Sequence, residues 1–487
     1  MLTADKIIVY GAGEVGLYVL KCLKLHGICK DKIFVWDINH RNISDRYGYS
    51  VVEPDFSPIN DDGNILVLLA FRDSTNAVTV SEMTNKFKCA GYKKIFPATE
   101  ILWNVKKVEA KNFYNNAYFD SAYQEDISFD GRTAHVKPIA FYLPQFHEIP
   151  ENNEWWGKGF TEWTNTKKAK PNFKGHYQPR HPHNDLGYYD LSDVEAIRKQ
   201  AKLARNHGIY GWCIYYYWFS GRKLLTKPID LLFENKDIDI NFCLFWCNET
   251  WTKKWVGEHE TILIDNKYTE TDPEAFIDDL KKYMTDSRYI RLEGKPIIVV
   301  QHIKNIPDIN ETVLRWKKRA IEIGIGDISV IFATNPMQSS DYGLTEPYLN
   351  DVDSFSILYR ASNAIRLVDE YGATVTKVLR YYADYVESYI NHIENSDHKS
   401  YWSCCVGFDN TPRFAENSNV YDIGFSLRTF YKLVKYIVEE AHANKKEYMF
   451  VFAWNEWAES AYLEPDKKFG YAVINTFSKA LYGIPLV

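Results

Sequence analysis

Short apolar runs and amphipathic stretches alternate over the first hundred residues. The apolar runs, which we predict as strands, are KIIVY (6–10), KIFVWD (32–37), NILVLLA (64–70) and KKIFPA (93–98). Helical periodicity occupies LYVLKCLKLHG after the first run and a stretch near 76–90 after the third. Strands that alternate with helices predict a parallel sheet with crossover helices. We therefore predict a small Rossmann-like domain over residues 1–100.

Both periodicities are lost between residues 101 and 137. This stretch contains KNFYNNAYFDSAYQED, in which apolar and polar positions follow neither an alternating nor a helical pattern. Polar, irregular composition of this kind is typical of a connection between folded units. We predict a linker over 101–137.

From residue 138 the alternation returns and continues to the C-terminus. Helical periodicity predicts helices at 193–208, 311–324 and 374–390. The predicted strands number eight and lie at 138–145, 210–218, 241–247, 295–301, 328–335, 353–357, 401–409 and 447–454. Eight strands with helical crossovers are typical of a TIM barrel with insertions. The predicted fold class is therefore α/β, with a C-terminal (β/α)8 TIM barrel over 138–487 preceded by the small Rossmann-like parallel-sheet domain.

The overall charge argues against a nucleic-acid partner. Lys and Arg number 58 against 64 Asp and Glu, so the net charge is −6, whereas polyanion-binding proteins carry a basic surplus. No apolar run approaches the roughly 18 to 20 residues that a membrane helix needs. The N-terminal MLTADKIIVYGAGEVG lacks the features of a signal peptide. We expect a cytoplasmic protein without a transmembrane segment, and its oligomeric state is left open.

No metal site is predicted. Cysteines inside apolar runs behave as small buried hydrophobes, and five of the eight are so placed: Cys213, Cys243, Cys247, Cys404 and Cys405. Cys243 and Cys247 lack a second Cys or His pair at zinc-site spacing. The histidines of GHYQPRHPH stand among prolines, as in a turn-rich rim.

A glycine motif follows the first predicted strand. Gly11, Gly13 and Gly16 satisfy G-x-G-x-x-G in strand–turn–helix context, and Asp37 ends the next strand. One interpretation is a nucleotide or nucleotide sugar whose phosphates lie at the helix N-terminus and whose ribose meets Asp37. The other is that the glycines serve tight helix–strand packing and nothing is bound. The unit resembles the half-Rossmann units attached to bacterial sugar-modifying enzymes, which leaves the ligand open.

Aromatic residues gather where the predicted barrel strands end. They make up 16% of the chain, with 35 Tyr and 14 Trp. The strand ends read LPQFH (143–147), YYYWFSG (215–221), FWCNETW (245–251), VQH (300–302), FATN (332–335), GFDNTPR (407–413) and AWNEWAE (453–459). A TIM barrel places its active site at this end, and Trp and Tyr beside polar groups suit ligands with flat apolar faces, such as sugars. We predict one aromatic, carboxylate-bearing pocket.

The last strand end carries two glutamates three residues apart, Glu456 and Glu459. On a helical turn this spacing puts their Cβ atoms roughly 5 to 6 Å apart, close to the roughly 5 to 5.5 Å between the carboxyl groups of retaining glycosidases. Different solvation of the two would separate their pKa values, as an acid/base pair requires. A solvated helix start, where glutamates are also favoured, explains the pair as well when it is taken alone.

From about 138 to 480 the chain closely resembles the WbsX-like proteins of bacterial polysaccharide loci, which belong with glycoside hydrolase family 99, the endo-α-mannosidase family. The resemblance rests on AFYLPQFHEIPENNEWWGKGFTEWTN, FKGHYQP, GIYGWCIYYYWF, FCLFWCNETWTKKW, RYIRLEGKPIIVV and AWNEWAESAYLEPDKKFGYA. It implies a TIM barrel that requires no metal or other cofactor and an oligo- or polysaccharide substrate with α-linked, mannose-like residues.

The resemblance also implies catalytic roles. Glu456 would deprotonate the sugar's own 2-hydroxyl, which attacks C1 to form a 1,2-anhydro intermediate, and Glu459 would be the general acid/base. Substrate contacts are expected from residues of the same motifs and strand ends: Tyr142, His147, Trp155, Trp156, Glu162, Trp163, Tyr217, Trp218, Asn248, Glu249, Trp251, Asp409, Trp454, Asn455 and Trp457. For Glu249 a capping or ion-paired role is open, and Asp409 with Arg413 forms a salt bridge as readily as a sugar contact. A place in an aromatic core is equally open for Tyr142, His147, Trp155, Trp156, Glu162 and Trp163.

Three functions stay open. The leading hypothesis is a retaining glycoside hydrolase-like enzyme of bacterial surface polysaccharide metabolism. The second is a glycosyltransferase of lipopolysaccharide, O-antigen or capsule biosynthesis that uses a nucleotide sugar, although the barrel segment offers no Asp-x-Asp motif near a donor pocket. The third is a non-catalytic glycan-binding protein in which both acids accept hydrogen bonds.

Overall fold

The computed structural model describes residues 4–25, 27–70, 77–98, 123–171, 176–253, 258–334, 354–356, 365–368, 374–396, 400–414, 420–423 and 425–486. The chain divides into two compact units. The first comprises Met1–Asn116 and Ser362–Arg380, and the second comprises Ala117–Ala361 and Tyr381–Val487. Most of the predicted linker, 101–122, lies outside the described residues.

The first unit contains a six-stranded sheet. Its strands are β1 (Lys6–Tyr10), β2 (Ile33–Trp36), β3 (Asp45–Arg46), β4 (Tyr49–Val52), β5 (Ile65–Leu69) and β6 (Lys94–Pro97), and its helices are α1 (Glu14–Leu25) and α2 (Ala77–Cys89). The sheet order is β3-β4-β2-β1-β5-β6, and every neighbouring pair is parallel except β3–β4. The central strands are buried because their residues are almost all aliphatic. The Rossmann-like assignment stays a prediction.

Packing accounts for two of the three glycines in the motif. Gly11 has a φ of +112°, and a Cβ there would lie 2.7 Å from the carbonyl oxygen of Ala70. A Cβ on Gly16 would lie 1.9 Å from the carbonyl oxygen of Gly11, whereas one on Gly13 would meet nothing within 4 Å. A side chain would clash at Gly11 and at Gly16, as both interpretations of the motif expect, because a nucleotide-binding turn also needs glycine at these two positions for packing.

Asp37 is engaged by the backbone. Its Oδ2 accepts a hydrogen bond of 2.6 Å from Ala12 N, and its Oδ1 accepts one of 2.7 Å from Asn39 N. A ribose hydroxyl would therefore share or displace these donors. Both interpretations of the glycine motif remain predictions.

The second unit is built on a closed ring of eight parallel strands. They are β7 (Lys137–Tyr142), β8 (Gly211–Phe219), β9 (Asn241–Trp246), β10 (Lys295–Val300), β11 (Ser329–Thr334), β12 (Ser354–Ser356), β13 (Tyr401–Cys405) and β14 (Tyr448–Phe452). Each strand pairs with the next in parallel, and β14 pairs with β7 to close the ring. The predicted α/β class is confirmed, and the arrangement is TIM-barrel-like.

Helices and short strands fill the connections. The helices are Pro150–Trp156, Glu162–Lys168, Val194–Asn206, Lys227–Glu234, Asp272–Met284, Ile309–Glu322, Tyr382–Glu394, Thr411–Phe414, Leu427–Ala443 and Ala472–Leu481. Short strands are Arg222–Leu224, Trp251–Lys253, Glu258–Ile264, Arg291–Leu292, Val420–Ile423, Asn455–Glu456 and Ala461–Tyr462. Side-chain caps start some helices: Asp193 accepts a hydrogen bond from Glu195 N, and Ser426 accepts one from Thr429 N. In the described residues, no helix has the length and apolar character to cross a bilayer.

The helix predicted at 374–390 is wrong over its first half. Thr374–Tyr381 is a strand that pairs antiparallel with Ile365–Val368, and the helix begins at Tyr382. The β-branched residues Thr374, Val375, Thr376 and Val378 explain the difference, because they favour extended backbone over helix. Amphipathic periodicity alone overstated the helix.

An aromatic layer fills the ring beneath its C-terminal end. The Phe141 ring lies 5.3 Å from that of Phe245 and 5.7 Å from that of Phe450. It also contacts the rings of Tyr215 and Phe452 at 6.2 and 6.1 Å. Side chains from four strands therefore pack together in the interior, and the polar residues follow toward the C-terminal end.

Candidate active site

Glu456 and Glu459 lie on a tight hairpin directly after β14. Asn455–Glu456 pairs antiparallel with Ala461–Tyr462, and Trp457–Glu459 forms one 3-10 turn between them. Ser460 ends this turn in the left-handed conformation, with a φ of +54°. The predicted helical turn is thus a single 3-10 turn that begins one residue after Glu456.

Two side chains fix this hairpin. Asn455 Oδ1 accepts a hydrogen bond of 2.7 Å from Leu143 N, and Asn455 Nδ2 donates one of 3.0 Å to Leu143 O. The Trp457 indole donates to Glu464 at 2.6 Å and stacks on Tyr462 at 3.8 Å. The hairpin is therefore tied to the end of β7 and to a buried acid behind it.

One guanidinium holds the two glutamates together with a third. Arg413 Nη2 donates to Glu456 Oε2 at 3.1 Å, and Arg413 Nη1 donates to Glu459 Oε1. The same Nη2 lies 3.5 Å from Glu162 Oε1. Arg413 stands on the short helix after β13, and Glu162 begins the helix Glu162–Lys168. We call Glu162, Arg413, Glu456 and Glu459 the glutamate cluster.

Burial and the crowding of negative charge raise pKa values in the glutamate cluster. Burial raises the pKa of Glu456 to about 8; Arg413 opposes this shift, and the two other glutamates add to it. Burial likewise raises the pKa of Glu162. Burial by itself would lower the pKa of Arg413, but the three glutamates raise it well above its ordinary value. One positive charge serves three carboxyl groups, and the raised pKa of Glu456 favours its protonated form at neutral pH.

This arrangement suits acid/base chemistry. Glu456 is 3% exposed, whereas the side chain of Glu459 is 19% exposed. Burial therefore favours the protonated form of Glu456, and the more exposed Glu459 lies beside it on the same guanidinium. In the described part of the chain, no three His, Cys, Asp or Glu side chains converge as metal ligands.

Asp409 lies beside the cluster in a fully bonded setting. Its Oδ2 lies 2.7 Å from His176 Nε2 and accepts a 2.7 Å hydrogen bond from Gln178 Nε2. Its Oδ1 accepts from the amide and the hydroxyl of Thr411. Burial alone would raise the pKa of Asp409, but the hydrogen bond and charge of His176 lower it below its ordinary value. Asp409 N also donates to Glu459 O at 2.7 Å, which ties this network to the hairpin.

An aromatic wall borders the cluster on the β8 side. A hydrogen bond from Tyr215 reaches Glu456, and Tyr217 accepts one of 2.9 Å from Gln145 Nε2. The Tyr217 ring lies 4.9 Å from that of Trp251, which in turn lies 6.0 Å from that of Trp155. Of the predicted substrate contacts, Tyr217, Trp251 and Trp155 therefore form one continuous surface that leads away from the glutamates.

Several predicted contacts lie in the packed interior. Tyr142 is buried, and its hydroxyl donates to Gln200 at 2.8 Å. Trp163 is buried against Trp457, with 5.5 Å between the rings, and its indole donates to Tyr189 O. Trp454 is 0% exposed. These residues, like Asn455 and Trp457 described above, support the hairpin from behind, and their direct contact with a sugar stays a prediction.

Three further predicted contacts, Trp218, Asn248 and Glu249, lie away from the glutamate cluster. Tyr217 faces the cluster and successive strand residues face opposite sides, so Trp218 faces outward, where it lines a cavity of about 210 Å³. Asn248 exchanges two hydrogen bonds with the backbone of His302, at 2.8 and 2.7 Å. The half-buried Glu249 carboxylate lies 4.0 Å from His302 Nε2.

His147 and Trp156 occupy the segment between β7 and the helix of Glu162. His147 is buried, its Nδ1 lies 2.9 Å from Pro144 O, and burial lowers its pKa. Trp156 packs beside Phe160, with 5.9 Å between the rings. Both remain candidates for the edge of the pocket.

Three residues have roles here that their sequence context did not predict: Arg413, Tyr215 and Glu464. Arg413 binds all three glutamates, although its motif GFDNTPR indicated only a salt bridge or a sugar contact. Tyr215 and Glu464 were not singled out. A glutamate inside the apolar run SAYLEP was a usable signal for Glu464, because a buried carboxyl requires partners.

Comparison with known proteins places the chain in a family. A family model described as "Glycosyltransferase WbsX" matches residues 138–477. Two proteins of Xanthomonas campestris pv. campestris, from two strains and both called uncharacterized protein WxcX, are 34% identical to it over 357 residues. That alignment covers 71% of this chain and 50% of each relative, so the chain spans about half the length of the curated relatives it matches.

Solved structures of glycoside hydrolases are also similar. An endo-alpha-mannosidase of glycoside hydrolase family 99 from Bacteroides thetaiotaomicron aligns with a TM-score of 0.43 and 16% identity, over 72% of this chain and 96% of that one. A glycoside hydrolase-like protein aligns with a TM-score of 0.47 and 12% identity, over 74% and 98%. TM-scores below 0.5 do not establish a common fold. The family match spans most of the chain, and on that basis the chain belongs to the WbsX family.

Proposed function

We propose that this chain is a glycan-processing enzyme, a retaining glycoside hydrolase-like protein that acts on an α-linked, mannose-like glycan of a bacterial surface polysaccharide. The observation that carries the proposal is the glutamate cluster, in which one buried guanidinium binds Glu162, Glu456 and Glu459 at the C-terminal end of the ring. Carboxyl pairs of different solvation at this end of a parallel barrel are suited to acid/base chemistry on a sugar.

In the proposed reaction Glu456 accepts the proton of the sugar's 2-hydroxyl while that oxygen attacks C1. The C1–O bond to the leaving group breaks, and Glu459 gives its proton to the leaving oxygen. Water then attacks C1 of the 1,2-anhydro sugar, Glu459 takes the water's proton, and Glu456 returns a proton to O2. Two displacements at C1 retain the anomeric configuration.

The protonation state of Glu456 before the reaction limits the role that it can take. Burial raises the pKa of Glu456 to about 8, so at neutral pH this carboxyl holds the proton that it must lack as a base. Both glutamates bind one guanidinium, so a proton that passes from Glu456 to Glu459 leaves the charge of the cluster unchanged. That transfer produces a base and an acid in the required places. The raised pKa also makes the ionised Glu456 a stronger base than an ordinary carboxylate.

The test uses wild type, Glu456→Gln and Glu459→Gln with an α-mannoside that bears a good leaving group, with and without nucleotide sugars. Turnover by wild type alone supports hydrolysis, and a dependence on nucleotide sugar overturns it. A general-acid variant suffers least when the leaving group needs no protonation. Glu459→Gln should therefore retain more activity on the activated mannoside than on a glycan with a poor leaving group. Equal losses on both would remove the acid role from Glu459.

A second candidate is glycosyl transfer from a nucleotide sugar. It is favoured by the description of the matching family as a glycosyltransferase, and the same glutamates would then activate an acceptor hydroxyl. The first unit would then bind the nucleotide at Gly11, Gly13, Gly16 and Asp37. Glycan binding without turnover under either condition would leave a binding protein.

A further inference from the structure

Arg180 lies between two aromatic rings, one of which, Tyr462, belongs to the hairpin that carries Glu456 and Glu459. Its segment runs antiparallel to the one after the hairpin, with a bridge between Pro182 and Asp466. The Arg180 guanidinium lies 5.0 Å from the Tyr177 ring and 5.6 Å from the Tyr462 ring. A half-buried arginine held in this way has a fixed direction for its N–H groups.

One of those N–H groups lacks an acceptor among the described residues, and another makes only a long hydrogen bond. Arg180 Nη1 lies 3.4 Å from the Tyr462 hydroxyl, which is beyond the usual range for such a bond. Arg180 Nε is buried and meets no acceptor among the described residues. Within the same residues, no carboxylate lies within 4.0 Å of this guanidinium. An arginine offers five donors, and burying them unmet is costly, so the position calls for an acceptor that the described protein does not supply.

The two nearby aspartates are already engaged. Asp409 accepts from His176, Gln178 and Thr411, as described above. Asp466 Oδ2 accepts from the hydroxyls of Tyr177 and Tyr462, and its Oδ1 accepts from Lys468 N and Phe469 N. Both acids balance the charge of Arg180 from a distance but leave its donors open.

A second cation adds to the local attraction for an anion. The ammonium of Lys468 lies 4.2 Å from the Tyr177 ring. Burial lowers the pKa of Lys468, and the charge of Arg180 lowers it further. Two cations therefore share one aromatic group, and an anion between them would relieve their repulsion.

Arg180 packs against Tyr462 of the hairpin that carries Glu456 and Glu459. Tyr462 stacks on Trp457, which lies between the two glutamates. Gln178 Nε2 donates to Ser460 Oγ at 2.9 Å, and Gln178 Oε1 is a buried acceptor that meets no donor among the described residues. A donor, Arg180 Nε, and an acceptor, Gln178 Oε1, thus lack partners among the described residues two positions apart along the chain, which matches a ligand that carries both an oxyanion and a hydroxyl.

We propose that Arg180 is a specificity-determining residue that binds an oxyanion carried by the glycan, either a sugar carboxylate or a phosphate ester. The inference rests on the proposed function and deepens it, because it makes the substrate an acidic saccharide. The planar guanidinium fits two oxygens of one such group, a geometry that an ammonium cannot reproduce.

Calorimetric titration tests this with three probes: mannuronic acid, mannose 1-phosphate and mannose. Wild type should bind at least one anionic probe about 10-fold or more tightly than mannose, and the preferred probe tells carboxylate from phosphate. Arg180→Gln should abolish the preference and Arg180→Lys should reduce it, because one charge remains without the fork. Lys468→Gln, an exposed position, should reduce it less than Arg180→Gln. Equal or unmeasurable binding of the anionic probes by wild type would overturn the proposal, as would a preference that survives in Arg180→Gln.

Two further measurements keep the outcomes separate. Thermal unfolding of each variant shows whether it is folded, and if Arg180→Gln does not fold, an undiminished preference in Arg180→Lys is the overturning result. Glu456→Gln should keep the preference for the anionic probe, because Glu456 has no part in it. If wild type prefers an anionic probe but does not turn over the activated mannoside, the role of Arg180 is retained and the proposed hydrolysis is overturned. If wild type turns over the neutral activated mannoside but shows no preference for an anionic probe, hydrolysis is retained and the role of Arg180 is overturned.

Discussion

Glu456 and Glu464 are both buried acids of one short segment, yet their surroundings differ in kind. Glu464 accepts hydrogen bonds from three neutral donors: Tyr189 Oη at 2.9 Å, Gln200 Nε2 at 2.7 Å and the Trp457 indole at 2.6 Å. Glu456 instead shares the charged Arg413 with two other acids. The first setting is complete without a ligand, and the second is short of positive charge.

This difference suggests a structural role for Glu464 and is consistent with the catalytic role proposed for the glutamate cluster. A carboxyl surrounded by neutral donors orders the side chains that point at it, and Glu464, at 1% exposure, is closed to a ligand. The glutamate cluster contains partly exposed members, because the side chains of Arg413 and Glu459 are 13% and 19% exposed. Glu464 is therefore a positioning residue for Trp457, whereas the cluster has the access and the proton imbalance that a reaction uses.

The largest expected effect is on turnover. Glu456→Gln should lower kcat on an activated α-mannoside by about 10³-fold, because it removes the proton acceptor. Glu464→Gln should lower it by less than about 10-fold, because the reacting groups remain and only their support changes. Steady-state kinetics on both variants checks this. Equal losses would show that the two acids cannot be divided into catalytic and supporting roles.

The next effect is on stability. Arg413→Leu leaves three crowded carboxyl groups without their common cation, so it should cost about 3 to 5 kcal/mol of unfolding free energy at pH 8. The cost should shrink toward pH 5, where the carboxyl groups take up protons. Urea unfolding at both values measures this. The control is Arg319→Leu, which removes an exposed pair with Asp278 and should cost at most about 1 kcal/mol.

The ring could be predicted because strands such as Gly211–Phe219 and Tyr448–Phe452 are buried on both faces. Such strands have continuous apolar sequences, and all eight predicted runs overlap the observed strands. Even the sixth, Ser354–Ser356, is found within the predicted 353–357. The polar and aromatic residues at the strand ends indicated the mouth of the ring for the same reason: apolar runs stop where the chain leaves the core.

The charge network could not be predicted from spacing. The separation of Glu456 and Glu459 indicates a local pair, but Glu162 and Arg413 are 251 positions apart and meet only through the closed ring. Likewise, Glu464 looks like any acid of a loop until Tyr189 and Gln200 are brought to it. Partners that are distant along the chain leave no local signal, which is also why the unmet donors of Arg180 become visible only in the structure.

A smaller effect on stability is expected for Glu464→Gln, because Glu464 is bound by neutral donors. Glu464→Gln keeps the shape but places an amide donor where an oxygen accepted, so one buried donor loses its acceptor. The expected cost is about 1 to 3 kcal/mol, measured by urea unfolding at pH 7. Glu447→Gln, which changes an exposed acid paired with Lys137, is the matched control and should stay within about 0.5 kcal/mol of wild type. A cost for Glu464→Gln no larger than for this control would contradict the supporting role.

The last prediction uses the pH dependence of stability to distinguish the raised pKa values of Glu464 and Glu456. Burial raises the pKa of Glu464 to about 7 and that of Glu456 to about 8, both from an ordinary 4.5. An acid with a raised folded-state pKa binds more protons folded than unfolded between those values, so stability falls as pH rises through that window, by about 1.4 kcal/mol per pH unit for one proton. Urea unfolding of wild type should therefore show stability falling from pH 5 and levelling off near 8. Glu464→Gln should lose the part of the slope that ends near pH 7, whereas Glu456→Gln should lose the part that extends to 8. The same slope in both variants and wild type would mean that neither carboxyl holds a proton in the folded protein, and the proton transfer proposed for the glutamate cluster would lose its starting point.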